Sequence, residues 1–589
     1  MRILLDMQSL QTPSRRRGIG RYSLSLARAM AACGRGHTFE ALLNGVFADT
    51  LGPARRDLSG VIEPRHMHVW QPPDPGDGFA PSARWRQAAG LCLRQYAIET
   101  IGPDLVHTTS LFEGARAVTP VTLDSVTRAV TQYDLVPLLN AGTYLADRGM
   151  RRRYHVLLEA LRQADVLLAI SDYSRREAID ALGLPPDRVA AISGDADPVF
   201  RRLALDPAHS AGQCAELGVR PGFVLYTGNI DPRKNLQKLV EAYGRLPAAL
   251  RRTHQLVVLA DLNGEQRYRL DKARRRSGVD EPDVRVIARV DDDRLVFLYN
   301  ACRAFVFPSL HEGFGLPVLE ALRCGAAVVA SNTTSIPEVM GLDAALFDPT
   351  SADSIAGKLA AVLQDDGWNR TLRDHAAVQA AKFSWRASAE RALDALEAAH
   401  ERRLQTRHPV AAASDPAARR RRLLADIAAI KATRAPTAAD RALLAIGIDE
   451  AAPGPHPRQV LLDESAADLL PPLRDEMPEG WRIEPVRRRG DVYVYACPGS
   501  DLDDTPAAAR RGDVFLCAAD QAHLLRDAEL AERTPGWLGY HRLRGMRICL
   551  IVRGGLPTGV AGLADGLIAD PASVWPTLRA LSPAKRPTE

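Results

Sequence analysis

Between Ala304 and Glu338 the chain switches from an apolar run to a glycine-rich loop, an amphipathic stretch and a second apolar run. Ala304-Phe305-Val306-Phe307 is apolar at every position, the pattern of a strand buried on both faces of a parallel sheet. Pro308 and Ser309 end it, and a loop carrying Glu312, Gly313 and Gly315 leads to Pro317, a residue suited to a helix's first turn. The pattern predicts a helix over 318–323, closed by Gly325, and a strand over 326–330. Similar apolar runs at 2–6, 104–107, 129–134, 165–170, 223–228, 284–290 and 345–348 read as further strands. Amphipathic helices are expected to end near Met30 and Tyr243, and a long Ala/Arg/Leu helix over 383–403. Strands alternating with helices imply an α/β protein with parallel sheets, whose ligands bind at the carboxyl ends of the strands.

At 589 residues the chain exceeds a single core, and roughly three to four domain-sized units are expected. Its 46% apolar and 25% charged residues are ordinary for a globular protein. A net charge of +5 is small for this length and speaks against a nucleic-acid binder. No apolar run reaches the ~20 residues of a membrane span, and no secretory leader is recognisable. Eight cysteines without C-x-x-C spacing suggest reduced thiols in a cytoplasmic protein.

The loop glycines let backbone N–H groups approach an anion, and the following helix N-terminus adds partial positive charge. Glu312 and Glu320 have no part in binding phosphate, but carboxylates accept hydrogen bonds from hydroxyls. A ligand with phosphate and sugar hydroxyls suits both halves. Taken alone, Glu320 reads more readily as an ordinary glutamate favoured by the helix dipole. Lys234 is one of only seven lysines among 76 basic residues, which suggests a need for a compact ammonium there.

The run Glu312-Gly313-Phe314-Gly315-Leu316-Pro317-Val318-Leu319-Glu320 resembles the E-x7-E signature of retaining glycosyltransferases with the GT-B fold, specifically family 4. The likeness continues through Ser335-Ile336-Pro337-Glu338 and covers residues 1 to about 403. It is closest to bacterial polysaccharide and O-antigen enzymes of mannosyltransferase type. The resemblance implies that Arg233 and Lys234 hold the donor diphosphate, helped by the backbone of Gly313, Phe314, Gly315 and Leu316. It assigns Glu320 to the ribose, Glu312 to the donor sugar hydroxyls, and Gly228 to close approach of the diphosphate. Gly18-Ile19-Gly20-Arg21-Tyr22 resembles the first strand-to-helix loop, which places Gly18 and Gly20 near the donor phosphates. The segment ending at Val290 resembles the loop that contacts the base, and His107 and Asp134 stand at cleft-facing, catalytic positions. Tyr133 replaces the histidine that commonly precedes this aspartate, and Ala288 replaces a common glycine. Ser171 and Ser174 resemble a serine pair whose plainest role is helix capping.

The expected architecture is therefore two Rossmann-like domains facing a cleft, 1–205 on the acceptor side and 206–382 on the nucleotide-sugar side. A crossover helix 383–403, a linker 404–456 with a short helix to Ala432, and a degenerate partial transferase-like domain 457–589 follow. The last rests on Arg458-Gln-Val-Leu-Leu-Asp463, an echo of Arg2-Ile-Leu-Leu-Asp6, and on further strands at 512–517 and 546–552. No metal and no cofactor are expected: Asp291-Asp292-Asp293 reads as a helix cap, and the nucleotide-diphosphate sugar is a substrate. The expected partners are that donor, a glycan or lipid-linked acceptor, and a protein meeting 457–589. The run Arg15-Arg16-Arg17 reads first as a solvated loop, and otherwise as a contact for anionic lipid at the inner face of the cytoplasmic membrane or for a lipid-linked diphosphate acceptor. Two other classes stay open on the sequence: a phosphorylase or synthase of the same fold, and a non-catalytic scaffold in polysaccharide assembly.

Overall fold

The computed structural model describes residues 1–406 except 75–80, 115, 229–230 and 289, then 415–430, and beyond 457 the strands of a third sheet with a few single residues. The chain forms two compact units. One comprises Met1–Arg15, Gly36–Thr127 and Leu404–Glu589; the other comprises Arg16–Arg35 and Arg128–Arg403.

In the first unit, strands β1 (Arg2–Asp6), β2 (Thr38–Asn44), β3 (Met67–Trp70) and β4 (Leu105–Thr108) run parallel in the order β3-β2-β1-β4. Ile3, Leu4 and Leu5 are fully buried, as an apolar run covered on both faces should be. The helix Pro81–Ile101 packs Trp85, Ala89 and Leu93 against Leu4, Leu42 and Trp70. A second helix, Pro416–Ala428, lies on it and adds Leu423 and Ile427 to the same core. This stretch falls inside the 404–456 segment read as a linker. Its apolar pair at i and i+4 gives one buried face, and the Asp415 side chain accepts from Ala417 and Ala418 N–H at 2.9 and 3.1 Å to start it. It is part of a folded core.

The third sheet holds β14 (Arg458–Asp463), β15 (Trp481–Arg489), β16 (Val492–Tyr495), β17 (Val514–Ala518), β18 (Arg547–Ile551) and β19 (Gly566–Ile568), in the order β16-β15-β14-β17-β18-β19. β14 lies between parallel neighbours β15 and β17, as β1 lies between β2 and β4. The two sheets differ at the edge: β16 runs antiparallel to β15, whereas β3 runs parallel to β2.

In the second unit, β5 (Thr127–Gln132, whose first residue belongs to the other unit), β6 (Val166–Ala169) and β7 (Val189–Ala191) are parallel neighbours. Beside them in sequence come β8 (Val224–Thr227), β9 (Leu256–Leu259), β10 (Val284–Ile287), β11 (Ala304–Phe307), β12 (Val328–Ser331) and β13 (Leu346–Phe347). These six form a parallel sheet in the order β10-β9-β8-β11-β12-β13, with β11 central and wholly buried. β10 is the edge strand, half exposed, and it stops at Ile287 rather than running on to Val290. The helix after β11 spans Leu316–Arg323 and starts two residues before the predicted 318.

The compact units do not follow the boundaries 1–205 and 206–382. Side chains across residues 16–35, 128–205 and 206–403 bind one another: Arg323 pairs with Asp195 at 2.7 Å, and Arg403 with Asp165 at 3.1 Å. Trp385 meets the Tyr22 ring edge-on at 5.0 Å, so the helix Trp385–Thr406 braces this unit. Among the described residues no helix is long and apolar enough to cross a membrane.

Candidate active site

The site is built where β8 and β11 end side by side, since the loops after both strands then meet. After β8, Asp231 accepts the Arg233 N–H at 3.0 Å and starts a single turn, Pro232–Lys234. Asn235 closes that turn at φ 59°, a conformation asparagine tolerates better than most side chains. Its amide donates to the carbonyls of Pro308 at 3.1 Å and Pro349 at 2.8 Å. The loop after β11 answers with Leu310 N–H and Ser309 Oγ, both donating to the Arg233 carbonyl, at 2.7 and 3.2 Å. The two loops are thus one hydrogen-bonded body.

On it Glu312 sits between two cations. Its Oε1 takes Lys234 Nζ at 2.5 Å and Ser309 Oγ at 2.6 Å, and its Oε2 takes Arg233 Nη1 at 3.0 Å. Lys234 Nζ also lies 5.2 Å from the centre of the Phe307 ring, within cation–π range. Burial opposes a charged carboxylate, but the two cations and the serine hydroxyl overcome it and hold Glu312 down to about 2. An ionised carboxylate has roughly four acceptor positions. Three are used, so one remains for a ligand hydroxyl. Asp134, just after β5, accepts Val136 N–H at 3.2 Å; burial raises its carboxyl above the ordinary range while Arg233 pulls the other way.

The glycine loop is held from the helix Asp172–Leu182. Ser171 and Ser174 both donate to the Gly313 carbonyl, at 2.6 and 2.8 Å, and Ser174 also to the Tyr133 carbonyl at 2.9 Å. Ser171 in addition accepts Ser174 N–H at 2.8 Å, so the capping role is real but incomplete as a description. A side chain at Gly313 would put Cβ 2.0 Å from the Tyr133 oxygen, below any real contact. Gly313→Ala is therefore expected to lower stability by about 1–3 kcal/mol through forced backbone movement. A thermal midpoint equal to the parent's would show that this close approach is not required. Gly315 caps the helix Leu316–Arg323 at φ 106°, where its lack of a side chain also spares Ile336, 2.7 Å from an added Cβ. Phe314 is buried edge-on against Phe383 at 5.9 Å.

Glu320, half-buried on that helix, accepts the Tyr299 hydroxyl at 3.1 Å. Arg21 lies close enough to favour its ionised form and is itself paired with Asp292 at 2.5 Å. Burial nonetheless raises Glu320 to about 7. The folded protein then binds more protons than the unfolded chain between the ordinary 4.5 and about 7, so stability from this group falls as pH rises through that window. Glu320→Gln abolishes the dependence. The variant's melting point, relative to the parent's, is expected to be higher at pH 8 than at pH 5; a constant difference would contradict the raised carboxyl.

The structure thus brings Arg233, Lys234, Glu312, Gly313 and Asp134 into one cluster. Leu316 and Glu320 stand on the helix Leu316–Arg323, and Gly18 comes against it, its added Cβ 3.3 Å from Leu316. Gly18 begins the helix Gly18–Cys33, and Gly20 is buried within it. Gly228 ends β8, its added Cβ 3.0 Å from the Tyr226 hydroxyl. Val290 precedes the helix Asp292–Ala301, which Asp291 caps by accepting Arg294 N–H at 2.9 Å. His107 stands in β4 of the other unit, wholly buried, where desolvation pushes its imidazole to about 4 and keeps it neutral at pH 7. Ser309, His311, Glu177 and Tyr299 were not anticipated. For Glu177 a signal existed: Ser171, Ser174 and Glu177 recur every three residues, which makes one polar helix face.

A family model of glycosyltransferase family 4 matches residues 16–194, and one of glycosyl transferases group 1 matches residues 216–383. Over 586 residues, 95% of this chain and 68% of that protein, the chain is 30% identical to the serotype-specific mannosyltransferase WbdA of Escherichia coli. This chain belongs to glycosyltransferase family 4. Another relative, the O-antigen chain mannosyltransferase B of Escherichia coli, is 36% identical over 262 residues, 44% of this chain and 67% of that protein. Among solved structures, sucrose-phosphate synthase of Thermosynechococcus elongatus is similar at TM-score 0.51 and 18% identity, over 68% of this chain and 98% of that one. That likeness concerns the fold alone, which is GT-B. Arg233, Lys234, Glu312 and Glu320 of this glycosyltransferase lie inside the group 1 match, and Gly18 to Tyr22, Asp134 and Glu177 inside the family 4 match.

Proposed function

We propose that this glycosyltransferase moves mannose, with retention of configuration and without a metal, from a nucleotide-diphosphate sugar to a growing surface polysaccharide or lipid-linked glycan. The observation that carries the reading is the cluster in which Arg233 and Lys234 are held on either side of Glu312 beneath the Gly313 loop. As the glycosidic bond breaks, the departing nucleoside diphosphate gains negative charge. Two fixed cations stabilise that charge without reorganising. The remaining acceptor position of Glu312 suits a donor sugar hydroxyl, and Glu320 beside Tyr299 suits the ribose. The acceptor hydroxyl attacks on the face the diphosphate leaves, through an oxocarbenium-like state, and the departing phosphate takes its proton. Mannose is favoured because both relatives named above are mannosyltransferases. A peripheral position at the inner membrane face, and a partner protein on residues 457–589, belong to the same proposal.

The test is thermal stability of the purified chain against GDP-mannose, UDP-glucose, UDP-galactose and related donors, followed by transfer assays with and without chelator. A donor at about 100 times its dissociation constant adds about 2.7 kcal/mol to the state that binds it. Stabilisation by one donor, with chelator-resistant transfer and an α-linked product from an α-donor, supports the reading. Stabilisation by none would move the assignment to a non-catalytic scaffold, and turnover only with sugar phosphate would move it to a phosphorylase.

A further inference from the structure

One face of the helix Asp172–Leu182 carries Ser171 at its cap, Ser174 and Glu177, and all three reach the donor-site loops. The serines account for the Gly313 carbonyl. Glu177, 7% exposed, accepts Leu135 N–H through Oε2 at 2.7 Å, one residue beyond Asp134. Its Oε1 lies 2.8 Å from Nε2 of His311, close enough for an ion pair but bent away from a straight hydrogen bond. Neither of these two buried atoms has another hydrogen-bond partner among the described residues. The imidazole also meets the Tyr173 ring edge-on at 5.7 Å, so its plane is set from the same helix.

His311 is the chain neighbour of Glu312, and its carbonyl accepts Arg233 Nη1 at 2.9 Å, as the Glu312 carboxylate does at 3.0 Å. The same guanidinium nitrogen is therefore located by one backbone oxygen of residue 311 and one side chain of residue 312. An orientation imposed on His311 therefore bears on both, beside the bonds that Ser309 and Thr334 make to the same segment. We propose that Glu177, acting through His311, is a positioning pair for Arg233 and Glu312, which it holds where the departing diphosphate develops its charge. This deepens the transferase reading and rests on it.

The experiment uses the full chain and three variants, His311→Ala, His311→Gln and His311→Ala with Glu177→Gln. The glutamine at 177 keeps an acceptor for Leu135. GDP and UDP binding is measured by titration calorimetry, and transfer kinetics with GDP-mannose and with any other donor that stabilises the parent. His311→Ala is expected to lower kcat/KM by about 10²-fold, mostly in kcat, with the melting point moved by less than about 2 °C. His311→Gln, whose amide N–H reaches the place of Nε2, should recover about tenfold or more of that loss. The double variant should be no worse than His311→Ala, because the two residues act as a unit. Parent-like kinetics for His311→Ala would overturn the inference. So would a melting point that falls in step with activity and that glutamine does not restore, which marks a merely structural role. A parent protein that binds neither nucleotide and transfers no sugar would instead sink the transferase reading, and this inference with it.

Discussion

Lys234→Ala is expected to lower donor-dependent kcat/KM by about 10³-fold while leaving the protein folded. Lys234 is buried, yet its ammonium meets Glu312 at 2.5 Å and the Phe307 ring at 5.2 Å, so its charge has been placed and not merely tolerated. Without it Glu312 still keeps Arg233 and Ser309, so the loops retain their hydrogen bonds in the free protein. On the proposed reading, what is lost is one of two positive charges placed for the leaving diphosphate, a loss felt most in the transition state. Lys234→Arg should rescue little, because a planar fork cannot enter a space shaped around a compact ammonium. Steady-state kinetics beside a thermal melt checks the point. Activity within threefold of the parent would remove Lys234 from the diphosphate site.

Arg94→Ala is expected to cost the first unit about 3–5 kcal/mol, the usual result of stranding one member of a buried ion pair. Arg94 Nη2 lies 2.5 Å from Asp6 Oδ2 at the end of β1, and the two side chains are 0% and 1% exposed. Arg94 Nη1 further donates to the Pro120 carbonyl at 2.6 Å, and Gln8 Nε2 to Asp6 at 3.0 Å. Removal of the guanidinium leaves a buried carboxylate with only Gln8 beside it. The double variant Asp6→Asn with Arg94→Ala should regain part of the loss, since the stranded charge is gone. Denaturant unfolding of parent, single and double variants tests this. A single variant within about 0.5 kcal/mol of the parent would show that the pair is not needed.

Much of the candidate site around Glu312 was legible because its signals are local. Ala304 to Phe307 could be read as a central strand, since burial on both faces demands unbroken apolar residues. Gly315 could be read as a loop position, and the structure places it at φ 106°. Arg233 and Glu312, 79 residues apart, could be joined only by resemblance to a family. The spacing of Ser171, Ser174 and Glu177 marked a polar helix face, but nothing in the sequence joined Glu177 to His311, 134 residues on, since a histidine in a loop has bland explanations. The segment after Arg403 shows the opposite failure. Its Pro, Ala and Arg content suggested a linker with a short helix; the helix is there at Pro416–Ala428, but Leu423 and Ile427 dock it on Leu93 and Ala89, which the composition did not reveal.

The sequence by itself determined the α/β class, the alternation of strands and helices along the chain, and the resemblance that named the family. Apolar periodicity and turn chemistry act over a few residues, so one dimension carries them. Only the tertiary structure decided that helix 18–33 and residues 128–205 pack with 206–403 in one unit. It alone showed that Glu312 is gripped by both cations, that Tyr299 and Arg21 attend Glu320, and that one helix face anchors the glycine loop. Those are contacts between side chains far apart in the chain, chosen by which surfaces fit when the strands align. No local pattern encodes that fit.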